Sequence, residues 1–165
     1  MNSTQRFEHK VVIVTGAAQG IGRGVALRIA QEGGRLVLAD RSDLIQAVLA
    51  EIKALGVLAI AVETDLETYA GAESVVSHAI AEYGRIDVLI NNAGAIFDAR
   101  ELTADGLEKT FAVNHMAYFV ITELLRPNLT PDARIVSTAS TAHQMGQLDF
   151  NDLPMDGRFS AMSAY

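Results

Sequence analysis

Apolar residues along the chain form short uninterrupted runs that alternate with longer stretches of helical spacing. Runs of this kind are typical of strands that are buried on both faces of a parallel sheet. Five segments are predicted as strands, at Val11–Val14, Leu36–Asp40, Leu58–Val62, Ile86–Ile90 and Arg134–Thr138. We therefore expect a sheet that helices cover on both sides.

The stretches between these runs end at residues that stop helices. The predicted helices are a first at about Gly22–Gln31, a second that Ser42 caps and Gly56 ends, a third through Tyr83 that Gly84 closes, and a long region from a Thr103 cap to Leu129, interrupted near Asn114. Strands that alternate with helices predict right-handed crossovers. The predicted fold class is α/β, a doubly wound parallel sheet of five strands in the order 3-2-1-4-5.

A glycine-rich turn follows the first strand directly. Residues 10–24 read KVVIVTGAAQGIGRG, with glycines at Gly16, Gly20 and Gly22. Bare glycine backbone lets an anion approach the unpaired N–H groups of the following helix, where the helix dipole favours negative charge. Asp40 ends the second strand at the distance expected of an acid that binds a ribose. The pattern favours a dinucleotide pyrophosphate over glycines that serve only strand-to-helix packing.

Composition narrows the class of protein. The 165 residues suffice for one domain, and 50% hydrophobic residues without low-complexity stretches argue against disorder. A net charge of −7 argues against a nucleic-acid surface, and the absence of cysteine excludes disulfides and cysteine-bound metal. Met1–His9 is polar, unlike a signal peptide, and no run approaches the roughly 18 apolar residues of a membrane span. We predict a cytoplasmic protein with no nucleic-acid partner, membrane span or metal site.

The segment Thr15-Gly16-x-x-x-Gly20-Ile21-Gly22 resembles the T-G-x-x-x-G-[IL]-G motif of the short-chain dehydrogenase/reductases. The resemblance implies a Rossmann fold with 1–165 as a single NAD(P)-binding domain. It also implies hydride transfer between the nicotinamide cofactor and a secondary alcohol, carbonyl or dihydrodiol. The cofactor-binding residues implied are Thr15, Gly16, Gln19, Gly20, Ile21, Gly22, Asp40, Arg41, Asp65, Leu66, Asn92, Ala93 and Gly94.

Residues after the second and third strands bear on which dinucleotide binds. Asp40 is the expected acceptor for the ribose hydroxyls, and it favours NAD because a carboxylate repels the extra phosphate of NADP. Because Arg41 is the neighbour of Asp40, NADP remains the alternative, less favoured cofactor. By the resemblance, Asp65 and the following Leu66 contact adenine, although a helix-capping role for Asp65 is the alternative.

Two asparagine motifs extend the resemblance. Asn91–Gly94 matches the family's N-N-A-G signature, where small residues let the cofactor lie against the strand end and an Asn amide joins two backbone segments. A simple turn is the alternative. Asn114 matches the helix-borne asparagine that supports the family's proton relay, with a local helix kink as the competing explanation.

The catalytic residues implied by the resemblance are Asn114, Ser140 and Tyr165. Ser140 follows the fifth strand and resembles the serine that holds the substrate oxygen, whereas Ser137 and Thr138 are less well placed. A strand-end hydroxyl that caps backbone groups is the alternative. Tyr165 aligns with the tyrosine that exchanges the proton. We expect His115 and His143 to be packing or surface residues rather than catalytic ones.

One feature departs from the family pattern. The family places a lysine four residues after the catalytic tyrosine, and this sequence stops at Tyr165. The alternative function is therefore a catalytically incomplete dinucleotide-binding fragment or module. A fifth strand without its covering elements predicts an exposed edge and an uncovered apolar face, hence self-association.

The resemblance also differs between the two halves. Residues 1 to about 92 are similar to cis-dihydrodiol carboxylate dehydrogenases, whereas residues 91–165 are similar to retinol-dehydrogenase-like members. A hybrid joined at Asn91–Gly94 is one hypothesis. A methyltransferase would use the same glycine loop, but it explains neither this tetrapeptide nor the pair of Ser140 and Tyr165. The substrate is accordingly expected only as a small-molecule alcohol or carbonyl.

Overall fold

A computed structural model describes residues 5–145 and 149–165 of the chain. Its strands form one parallel sheet in the order β3-β2-β1-β4-β5, which confirms the predicted fold class and topology. The strands are β1 at Val11–Thr15, β2 at Arg35–Asp40, β3 at Ala59–Glu63, β4 at Ile86–Asn91 and β5 at Leu129–Ser137.

Helices connect successive strands and lie on both faces of the sheet. The α-helices are α1 at Gly20–Gln31, α2 at Ile45–Ala54, α3 at Tyr69–Tyr83, α4 at Lys109–Phe111, α5 at Ala117–Leu125 and α6 at Ala161–Ala164. A π-helix at Ala112–Met116 joins α4 to α5, and short 3-10 helices occupy Arg126–Asn128 and Thr141–Met145. Within the ranges that the structure describes, no helix combines the length and apolar character that crossing a membrane requires.

The core has two layers because alternate residues of a strand point to opposite faces of the sheet. Val11 and Ile13 of β1 belong to the layer that includes residues of α3 and α5. Val12 and Val14 belong to the opposite layer, which includes residues of α1 and α2. The sheet therefore holds β1 at its centre, buried on both faces, as its continuous apolar run predicts.

Two predicted helix starts are wrong. Helix α2 begins at Ile45, and the hydroxyl of Ser42 instead accepts a hydrogen bond from the Leu44 N–H at 3.3 Å. The region after the fourth strand is capped by Glu108, whose carboxylate accepts from the backbone N–H groups of its first turn. The Thr103 hydroxyl accepts from backbone N–H groups within the preceding turn. Hydroxyls suit turns as well as caps, so their position alone did not locate the helix starts.

Strand β5 also begins earlier than Arg134. It starts at Leu129, which lies opposite Ile86, and the register shifts before Val88 pairs with Arg134. Pro131 lies within it, and proline without an N–H is tolerated in a strand at the edge of a sheet. All nine residues of β5 are half-buried or exposed, as the expectation of an uncovered fifth strand requires.

Candidate functional site

A cavity of about 920 Å³ opens where the carboxyl ends of the strands meet. Its volume lies in the range typical of cofactor sites, and its position is the one that doubly wound sheets use for ligands. The predicted site residues that line it are Gly16, Gln19, Ile21, Asp40, Arg41, Asp65, Leu66, Asn92, Ala93, Gly94, Asn114, Ser140 and Tyr165. Thr15, Gly20 and Gly22 do not line the cavity themselves, although their sequence neighbours Gly16, Gln19 and Ile21 do.

The glycine turn is closed by contacts that only glycine permits. Gly16 has φ +66°, and a Cβ there would lie 2.9 Å from the Cα of Ala93. A Cβ on Gly22 would lie 2.0 Å from the carbonyl oxygen of Gly16. The bare backbone therefore brings β1 and the start of α1 together, and it leaves a cradle at the helix N-terminus that fits a pyrophosphate.

Thr15 and Asn92 fasten this turn to the end of β4. The buried hydroxyl of Thr15 accepts from the backbone N–H groups of Asn92 at 2.9 Å and Ala93 at 3.0 Å. The Asn92 amide donates to the carbonyls of Thr15 and Gly16 at 3.1 and 3.4 Å and accepts from the Thr138 hydroxyl at 3.2 Å. Asn92 thus joins the ends of three strands, where the sequence predicted that an amide joins two segments.

The Asp40 carboxylate lies half-buried between two loops. One of its oxygens accepts from the Ala18 N–H at 2.9 Å and the other from the Ser42 N–H at 2.9 Å. A carboxylate has about four acceptor sites, so Asp40 retains capacity for further donors at the cavity. It holds the glycine turn through Ala18 and lines the cavity.

Asp65 and Arg41 lie at the same end of the cavity. Asp65 does not cap α3, because the cap is Thr68, whose hydroxyl accepts from the Gly71 N–H at 3.1 Å. Asp65 instead accepts from the Glu67 N–H at 3.0 Å and remains exposed. The helix-capping interpretation is therefore wrong for this acid. Arg41 forms an ion pair with Glu67, with 3.2 Å between Nη1 and Oε1.

Asn114 lies in the π-helix and binds the loop that follows Gly94. Its Oδ1 accepts from the Ala95 N–H and its Nδ2 donates to the Ala95 carbonyl, both at 2.9 Å. The helix is thus distorted at this residue, as the competing explanation expected, and the side chain bonds both backbone groups of Ala95 at the cavity wall. The helix distortion at Asn114 and the position of Asn114 at the cavity are both observed, so the two interpretations do not exclude each other.

Ser140 and Tyr165 line the same cavity from the C-terminal part of the chain. The Ser140 hydroxyl accepts from the Ala142 N–H at 3.1 Å, the backbone contact that the alternative expected of a strand-end serine. Tyr165 follows α6, which Ser160 caps. Ser137 and Thr138 also line the cavity, although the sequence predicted them to be less well placed than Ser140.

Tyr118 is a cavity residue that the sequence reasoning missed. Its hydroxyl donates to the Ala93 carbonyl at 2.8 Å, and burial, followed by the nearby Tyr165, raises the pKa of Tyr118 to about 12. The phenol therefore stays protonated as a donor. A signal was present in its position one helical turn after Asn114.

The two histidines also reach the cavity. Both His115 and His143 are exposed surface residues, as expected, yet both line it. His143 Nδ1 lies 2.6 Å from the Ser140 carbonyl oxygen, and the His115 ring stacks on Phe111 with 5.2 Å between centroids. Their presence beside Ser140 and Asn114 was not evident from periodicity.

Comparison with known proteins gives matches along the chain. A family model described as short chain dehydrogenase matches residues 10–151. A 1,6-dihydroxycyclohexa-2,4-diene-1-carboxylate dehydrogenase of Acinetobacter baylyi is 95% identical over 94 residues, which are 57% of this chain and 36% of that protein. Human retinol dehydrogenase 13 is 38% identical over 162 residues, covering 94% of this chain and 49% of that protein.

Solved structures share the fold. A short chain dehydrogenase from Burkholderia cenocepacia in complex with NADP superposes with a TM-score of 0.79 at 30% identity, over 97% of this chain and 62% of that one. A short chain dehydrogenase/reductase from Burkholderia phymatum in complex with NAD gives 0.75 at 27% identity, over 96% and 55%. The chain spans about half the length of the curated relatives that it matches along most of its sequence.

Proposed function

Because the chain belongs to the short-chain dehydrogenase family, we propose that it is the dinucleotide-binding domain of an NAD(P)-dependent oxidoreductase. The proposed reaction is hydride transfer between the nicotinamide cofactor and a secondary alcohol, carbonyl or dihydrodiol. The observation that carries the proposal is that the glycine turn, Asp40 and the pair Ser140 and Tyr165 line the same cavity.

The residues around the glycine turn are suited to hold the dinucleotide. In this proposal the turn from Gly16 to Gly22 binds the pyrophosphate, because its bare backbone and the helix N-terminus favour an anion. Asp40 binds the ribose hydroxyls, and Asp65 with Leu66 borders the adenine. Supporting contacts are the hydrogen bonds by which Asp40 and Asn92 hold this turn in place.

NAD is the proposed cofactor, with NADP less favoured. The Asp40 carboxylate attracts hydroxyl donors and repels a phosphate on the same ribose. The related structures named above contain one or the other dinucleotide, so the preference of this chain rests on its own residues.

The proposed chemistry divides between three side chains. When bound, the nicotinamide ring supplies the hydride acceptor or donor. Tyr165 exchanges the proton with the substrate oxygen, and Ser140 holds that oxygen by a hydrogen bond. Asn114 supports this arrangement because its amide ties the π-helix to the loop at Ala95. His143 is not needed for this scheme.

Three further properties are part of the proposal. The 1–165 segment acts as one dinucleotide-binding domain in the cytoplasm. The substrate is a small molecule, and the two named relatives direct attention to a dihydrodiol carboxylate and to retinol. The exposed apolar residues of β5, Ile135 and Val136, support self-association.

Calorimetric titration of NAD⁺ tests the binding half of the proposal. Asp40→Asn is expected to weaken NAD⁺ binding about 10- to 100-fold, because a charge-assisted hydrogen bond is worth about 1.5–3 kcal/mol. Asp43→Asn is the matched control, since Asp43 is an exposed acid three positions further on and lies outside the cavity lining. Well-folded protein that binds neither NAD⁺ nor NADP⁺ would contradict the proposal.

Turnover tests the catalytic half. NADH formation is measured with a panel of alcohols that includes simple secondary alcohols, a cis-dihydrodiol carboxylate and the primary alcohol retinol. Activity that Tyr165→Phe abolishes supports the oxidoreductase. Binding of NAD⁺ without turnover on any member of the panel supports the incomplete dinucleotide-binding module instead.

A further inference from the structure

We propose that Glu67 is a positioning residue for coenzyme preference, which acts by engaging the guanidinium of Arg41. Arg41 is the only lysine or arginine among the cavity-lining residues in the described part of the chain. It is therefore the cation that could pair with the additional phosphate of NADP. The inference rests on the proposed dinucleotide function and identifies a second determinant of its specificity, 26 residues along the chain from Arg41.

Glu67 is held in place more firmly than its partner. The Glu67 side chain is 11% exposed, whereas that of Arg41 is 59% exposed. The backbone N–H of Glu67 donates to Asp65 Oδ1 at 3.0 Å, which fixes the start of the Glu67 side chain. The flexible member of the pair is thus the arginine, and the fixed carboxylate determines where it rests.

A second cation anchors the other oxygen of Glu67. Lys109 Nζ lies 3.6 Å from Glu67 Oε2 and 2.7 Å from Glu101 Oε2, and it lies 5.4 Å from the centre of the Phe97 ring. The contact with Glu101, outweighing burial and joined by Glu67, raises the pKa of Lys109. Lys109 therefore remains charged, and the Glu67 carboxylate lies oriented between two cations.

This arrangement discriminates between the two dinucleotides by charge. A 2′-phosphate adds roughly 1.5–2 negative charges. To pair with it, Arg41 would have to leave Glu67, and the Glu67 carboxylate would then keep Lys109 as its cation but lose Arg41 near an anion. NAD⁺ makes no such demand on Arg41. Removing the charge of Glu67 should therefore improve NADP⁺ binding and leave NAD⁺ binding unchanged.

Calorimetric dissociation constants for NAD⁺ and NADP⁺ test this role. Glu67→Gln is expected to tighten NADP⁺ binding about tenfold, the size of one charge-assisted contact, and to change NAD⁺ binding less than about twofold. Glu101→Gln is the matched control, because Glu101 contacts the same lysine but not Arg41. Adding Arg41→Gln to Glu67→Gln should remove the gain, and Glu67→Asp should restore part of the native preference.

Several outcomes would overturn the inference. An unchanged ratio of the two dissociation constants in Glu67→Gln, or an equal change in Glu101→Gln, excludes a specific role for Glu67. Arg41→Gln alone provides a measurement that does not depend on the folding of Glu67 variants. If it weakens NADP⁺ binding tenfold in the otherwise native chain, Arg41 already binds the phosphate and Glu67 does not restrain it. Failure of the native chain to bind NAD⁺ would refute the proposed function itself, and this inference with it.

Discussion

Strands β1 and β5 flank β4 on its two sides. Apolar runs predicted both strands, but the two differ in how far their residues are buried. All five residues of β1 are buried, whereas none of the nine residues of β5 is. The difference is plain at one register position, where Leu89 of β4 is 0% exposed and its β5 partner Ile135 is 44% exposed. A run of apolar residues specifies a hydrogen-bonded strand, but helices on both faces determine whether it is buried.

The contrast has a counterpart in the candidate site. The glycine turn, Asp40 and Asn92 lie at the ends of well-buried strands and are joined by hydrogen bonds across them. Ser140 and Tyr165 lie in the part of the chain from β5 onward, where the side chains that the structure describes are half-buried or exposed. The dinucleotide-binding half of the site is therefore expected to be rigid and stable independently of the catalytic half.

Truncating the two register partners gives the largest expected difference. Leu89→Ala removes a fully buried side chain and should lower the free energy of unfolding by about 2–5 kcal/mol. Ile135→Ala should lower it by no more than about 1 kcal/mol, because Ile135 is already 44% exposed. Urea denaturation measures both. Equal losses would show that β5 is as well packed as β4.

Two glycines of α1 sharpen the same contrast within the dinucleotide-binding half. Gly22→Ala should cost about 1–3 kcal/mol and abolish NAD⁺ binding, since the added Cβ would lie 2.0 Å from the Gly16 oxygen. Gly24→Ala is the control, because nothing lies within 4 Å of a Cβ there. It should stabilise the helix by about 0.5–1 kcal/mol and preserve binding. Thermal unfolding and calorimetry measure the two effects, and retained binding in Gly22→Ala would contradict the tight-turn interpretation.

The sequence predicted the β1 side of the molecule better than the β5 side, for a physical reason. Glycines that close a turn, and apolar runs buried on both faces, are local signals that tertiary contacts reinforce. The start of β5 was missed because Leu129 lies before a proline and is recruited into the strand through a shift in register with β4. The edge position was predicted, but the shift in register has no signature in local spacing.

Among the contacts of the candidate site, too, those encoded by local motifs were predicted and the others were missed. Thr15, Asp40 and Asn92 were found because their motifs encode hydrogen bonds between neighbouring strand ends. The pairing of Arg41 with Glu67 was missed because the partners are 26 residues apart and look like ordinary surface charges. The cap at Glu108 was missed because threonine is among the residues preferred at helix N-caps and glutamate is not, so residue type favoured Thr103.

Exposed apolar residues on β5 lead to a prediction about assembly. We expect the native chain to elute from a size-exclusion column as a species larger than a monomer. Replacing Ile135 and Val136 together with threonine keeps β-branched residues on the strand and should shift elution toward the monomer. Leu58→Thr is the control, because Leu58 is 61% exposed beside the opposite edge strand β3. A native chain that elutes as a clean monomer would contradict the prediction.

The smallest expected effect is on the pH dependence of the unfolding free energy. This effect should again differ between the well-buried part of the chain and the exposed part from β5 onward. The hydrogen bond from Arg6, opposed by burial and aided by Arg28, lowers the pKa of Glu32 from 4.5 to about 2. Because the folded-state pKa lies below the unfolded value, the stabilisation by Glu32 is present above pH 4.5 and is lost as the pH falls toward 2. Glu32→Gln should therefore flatten the decline of the unfolding free energy over this interval.

The matched comparison is an acid from the exposed region of the chain. Asp156 pairs with Arg100, but its side chain is 71% exposed, against 2% for Glu32. An exposed ion pair contributes little to stability because solvent screens it. Asp156→Asn should therefore leave the pH profile of the unfolding free energy close to that of the native chain. If it flattens the profile as much as Glu32→Gln does, the C-terminal region contributes as strongly to the folded state as the buried sheet, and the division between the two regions does not hold.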